Sequence, residues 1–81
     1  MRSKQVDIYE VRELSVGQML PIMPLATEDP SKFQQEMSKM SVCLNGEPMG
    51  DRLNELSFAF FMQVLLPAVI EVNSMGESKN V

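Results

Sequence analysis

With 81 residues, the chain has room for one domain, and a domain of this size buries only about 60% of its unfolded surface, so its core is marginal. Eleven acidic against seven basic residues leave a net charge of −4, and the basic residues form no stripe, which argues against nucleic-acid or anionic-lipid binding. The single cysteine and the absence of histidine exclude an intrachain disulfide and histidine acid–base chemistry, and make a zinc site a poor fit.

The first segment, QVDIYEVREL at residues 5–14, is β-branched and aromatic, and it reads as one N-terminal strand. It has no long apolar run of the kind a secretory signal needs, and a lone cysteine suits a reducing compartment. Ser15 and Gln18 form a capping-box pattern, and Val16, Met19, Leu20 and Met23 follow at helical spacing. Pro21 and Pro24 lack N–H donors, so this first helix is short or kinked.

Asp29–Pro30 is a helix start, with Asp as N-cap and Pro at the first helical position. The second helix is predicted from there to about Ser41, with Phe33, Met37 and Met40 on its apolar face and a Lys32–Glu36 pair on its wet side. Asn45–Gly46 is a tight-turn signal after Val42–Leu44, which reads as a short strand or an extended run. A third helix, starting at Asp51 or Ser57 and ending near Val72, is predicted to present Phe58, Phe61, Met62, Leu65, Val69 and Val72 as one continuous face. Pro67 should bend or break it. Residues 74–81 read as a polar tail.

The predicted architecture is therefore mainly α. It is a three-helix domain over residues 1–73, with a short N-terminal strand and either a β-hairpin or an extended segment before the last helix. The third helix is apolar on its other face too, where Phe60, Val64, Pro67 and Ala68 lie. Either the N-terminal strand and first helix cover that face, or another chain does. At 13 residues from Phe58 to Ile70, the apolar stretch falls short of the roughly 20 needed to cross a bilayer. Five of the eight methionines (Met19, Met23, Met37, Met40 and Met62) fall on helical faces. There they serve as core filler or as an adaptable contact surface.

Candidate chemistry is sparse. Cys43 has no histidine to activate it and reads as a structural thiol. The acidic pairs Glu10/Glu13 and Asp51/Glu55 read as solvated charges, and no calcium loop or phosphate-binding loop is present. No catalytic, metal or cofactor residue is predicted. The candidate protein-binding residues are Phe60, Val64, Ala68, Met19 and Met23.

The order VRELSVGQ, DPSKFQQEMSKMSV, VCLNGEPM and LPAVIEVN resembles the small tail assembly chaperones of long-tailed bacteriophages over residues 6–73. The resemblance implies a non-catalytic, mainly helical, self-associating protein of the host cytoplasm. Such a protein binds the tape-measure protein and helps tail-tube subunits polymerise around it, with no nucleic acid, membrane or cofactor involved. Pro21 and Pro24 depart from it by shortening the first helix. A reading of another class is a small phage-encoded inhibitor of a host defence or regulatory protein, for which dispersed rather than clustered acids are a poorer fit.

Overall fold

In the computed structural model, which describes residues 2–73, the chain is mixed α/β and not a three-helix domain. The difference is a four-stranded sheet. Four antiparallel strands run in the order β1 (Ser3–Val6), β2 (Tyr9–Arg12), β3 (Val42–Leu44) and β4 (Glu47–Pro48). The predicted single N-terminal strand is in fact a hairpin. Asp7 takes a positive φ of 57° and Val6 pairs with Tyr9. Asp tolerates that conformation, but Ile8 beside it is no turn former, so the alternating pattern hides the reversal. The second hairpin turns at Asn45 (φ 56°) and Gly46 (φ 85°), the pair of positive φ values for which Asn-Gly is selected. The predicted tail, residues 74–81, lies outside the described residues.

Register decides which side chains share a face. Val11 pairs with Val42 and Tyr9 with Leu44, so these four point to one side, together with Lys4 and Val6 of β1. The two longer helices, α3 (Pro30–Ser41) and α5 (Leu66–Asn73), complete the core. Tyr9, Val11, Met37, Val42, Leu65, Val69 and Val72 are buried there together. Cys43 pairs with Glu10 and Pro48, faces away from that core and is still buried.

The helix starts are the predicted ones. Asp29 Oδ1 accepts from the Lys32 N–H at 3.2 Å, with Pro30 in the first turn. Ser15 and Gln18 make both bonds of the capping box. Helix one is cut as its prolines require, into α1 (Val16–Met19), a 3₁₀ turn (Leu20–Ile22) and α2 (Leu25–Glu28). The expected Lys32–Glu36 pair is replaced. Glu36 meets Lys39 at 3.4 Å, and Lys39 also reaches Asp51 at 3.1 Å, tying α3 to the 3₁₀ segment Gly50–Glu55.

The last helix is neither a plain α-helix nor split at Pro67. It begins with α4 (Phe58–Phe60), capped by Ser57, widens into a π-helical turn (Phe61–Leu65) and continues as α5. The Leu66 N–H donates to the Phe61 carbonyl, five residues back. In regular α-helix the Pro67 ring would press on the Gln63 carbonyl, and the widened turn provides the space. The extra residue also shifts the phase of the apolar stripe. Leu65, Val69 and Val72 are buried, but Phe58 is 76% exposed and Met62 41% exposed. The predicted continuous face is therefore broken after its first turn.

A polar knot joins three elements behind the core. The Ser41 hydroxyl donates to the Arg12 carbonyl at 2.6 Å and accepts from Asn73 Nδ2 at 3.2 Å. Asn73 also accepts from the Leu14 N–H at 2.7 Å and donates to the Val69 carbonyl. Arg2 closes the end of α5 by donating to the Val72 and Glu71 carbonyls. Lys4 bonds Glu71 at 2.8 Å and holds its carboxyl below the ordinary range. The stabilisation from this pair is present above the unfolded carboxylate value and is lost as the pH falls through the lower folded one.

By contrast, the hydroxyl of Ser38 in α3 is fully buried with no hydrogen-bond partner among the described residues. Burying an unpaired hydroxyl is unfavourable, and alanine is the better helix former. Ser38→Ala is expected to raise stability by about 0.5–1 kcal/mol, read as a higher urea midpoint at unchanged m-value.

Candidate protein-binding groove

The capping box at Ser15 and the prolines at 21 and 24 shape residues 16–28, which lie beside α3 and touch the core through Met19 and Ile22. A groove of ≈ 740 Å³ lies between this segment and the α3/α5 pair. Val16, Met19, Leu20 and Met23 line one side, Phe33 and Met37 of α3 another, and Ile70 extends it onto α5. Its lining is mainly apolar, with Glu13 as the one charged side chain among the described residues. Several of these apolar side chains remain open to solvent, with Leu20 63% exposed and Met23 and Ile70 46% each. Unbranched methionine and leucine side chains with free rotamers adapt to an irregular apolar partner.

Of the five predicted contact residues, the groove brings together two, Met19 and Met23. The other three do not form one surface. Ala68 is 4% exposed and belongs to the core. Phe60 packs on Tyr9, with ring centroids 5.9 Å apart, and is half-buried. Val64 is 38% exposed and lines neither groove. The second apolar face of the last helix is thus partly covered from within. The four-stranded sheet supplies the cover that a three-helix domain lacked. Val16, Leu20, Phe33, Met37 and Ile70 are among the groove residues that sequence reasoning did not assign as contacts. Their apolar spacing was legible, but nothing in it separates a core face from a groove wall.

A smaller groove of ≈ 400 Å³ lies on the far side of α3, lined by Gln35, Leu53, Leu56, Phe58, Phe61 and Met62. Gln34 borders both grooves.

Comparison with protein-family models, curated proteins and solved structures finds no match. The site is therefore read from its own chemistry. Among the described residues no group of His, Cys, Asp or Glu side chains gathers to hold a metal ion. Burial pushes the Cys43 thiol above its ordinary value, with nearby Arg12 opposing the shift. A thiol held protonated in this way is a weak nucleophile. Among the described residues no helix is long and apolar enough to cross a membrane.

Proposed function

We propose that this chain is a tail assembly chaperone of a long-tailed bacteriophage, acting in the host cytoplasm by binding rather than by catalysis. Its client is an apolar helical segment of the tape-measure protein. The observation that carries the binding role is the open apolar groove between residues 16–28 and the α3/α5 pair. Apolar surface left accessible on an acidic body suits a protein that must shield another chain's hydrophobic helices and stay dispersed itself. Lying in such a groove is a recurring way to bind an amphipathic helix. The client's identity comes from the resemblance of the sequence motifs. The mixed α/β fold departs from the mainly helical body which that resemblance implies.

The test is co-expression with a phage tape-measure protein, followed by pull-down and measurement of soluble client. Wild-type chain is expected to retain and solubilise the client. Met23→Asp places a charge in the groove at an exposed position and is expected to reduce client recovery at least about tenfold, the equivalent of roughly 1.4 kcal/mol. Its thermal midpoint should stay close to that of wild type, as surface substitutions usually change stability by less than about 0.5 kcal/mol. Val64→Asp is the informative comparison. Loss of binding there, with Met23→Asp still active, would move the contact from the groove to the last helix. Wild-type chain that neither binds nor solubilises the client would remove the assembly role and turn the search to host proteins.

A further inference from the structure

We infer that residues 16–28 form a hinged strap, which swings away from α3 and α5 as one unit and sets the width of the groove. Two observations carry this. No residue in α1, the following 3₁₀ turn or α2 is buried, so the segment moves without pulling a buried residue out of the core. Its hydrogen bonds are all local. The backbone donors of Met23, Ala26, Thr27 and Glu28 bond to carbonyls between residues 19 and 24, and the Thr27 hydroxyl donates to the Pro24 carbonyl. Among the described residues, no hydrogen bond or ion pair joins residues 16–28 to α3, α5 or the sheet. Among the described residues, what holds the segment down is apolar contact, chiefly from half-buried Met19 and Ile22. Such contacts are non-directional and exchange readily for contacts with another apolar surface.

Both ends of the strap are anchored. Just before it, the Leu14 N–H is held by Asn73 at 2.7 Å. Just after it, Asp29 caps α3. The anchors make Ser15 and Asp29 the pivots, where the backbone is extended or irregular (φ −77°, ψ 167° and φ −154°, ψ 81°). The strap serves the binding reading above by admitting client helices of different girth, but its movement is a property of the free chain.

Hydrogen–deuterium exchange on the free full-length chain, resolved by residue across low urea concentrations, tests it. Amides of residues 16–28 are expected to open with one shared free energy and to exchange at least about tenfold faster than those of α3 and α5. Protection equal to that of α3 would overturn the strap, and so would rates graded residue by residue, which mark independent fraying. With a tape-measure helix bound, the same amides should gain protection; a bound complex in which they do not gain it would also overturn the strap. Collective opening in a chain that binds no tape-measure segment would leave the strap standing and remove the client reading alone.

Discussion

Leu65→Ala is expected to destabilise the chain by about 2–5 kcal/mol, while Phe58→Ala should change stability by less than about 0.5 kcal/mol. The two residues are seven apart, so in an unbroken α-helix they would lie on one face and cost alike. The π-helical turn at Phe61–Leu65 separates them. Leu65 is fully buried among the sheet and helix side chains of the core, whereas Phe58 is mostly exposed. A chain of this length has a total stability on the order of 4–12 kcal/mol, so Leu65→Ala removes a large share of it. Urea unfolding followed by far-UV circular dichroism reads both variants. Equal costs for the two would mean that the stripe is continuous and the π-turn does not set the packing.

Asn73→Ala should cost about 2–3 kcal/mol, the second large effect and one that hydrophobicity does not predict. The side chain satisfies the Leu14 N–H, the Ser41 hydroxyl and the Val69 carbonyl at once. Truncation leaves the Leu14 donor without its partner in a half-buried position, and an unmet buried donor costs more than a made bond gains. Ser41→Ala removes the neighbouring link, the bond to the Arg12 carbonyl. Because the groups form one network, the double variant is expected to cost at least about 0.5 kcal/mol less than the sum of the singles. Strict additivity would show that the two side chains act separately. The Asn73 variant also bears on the strap, since it frees the anchor at Leu14 and should speed exchange at residues 16–28.

Local chemistry made several features legible from sequence. The capping box at Ser15–Gln18, the Asp29–Pro30 start of α3, the Asn45–Gly46 turn and the proline breaks at 21 and 24 each depend on neighbours within four residues. Tertiary context did not override any of them. The helical spacing of helix one likewise set Met19 and Met23 side by side, and both line the groove.

Pairings across the chain were decided only by the tertiary structure. β2 pairs with β3 some thirty residues away, and no local signal encodes that partnership. The sequence alone leaves open whether the N-terminal strand and first helix or another chain covers the second face of the last helix, and it offers Ala68 as contact surface although that residue sits in the core. The Asp7 reversal escaped because Ile8 continues an alternating pattern that a single strand would also show. The π-turn escaped because periodicity assumes a constant 100° per residue, and one widened turn moves the residues before it off the face formed by those after it. What the sequence determined by itself was where the helices start, where the prolines interrupt the first one and where the Asn45–Gly46 hairpin turns. Which apolar side chains became core and which became groove depended on how the sheet and helices met, because burial is a property of the assembled fold and not of the residue.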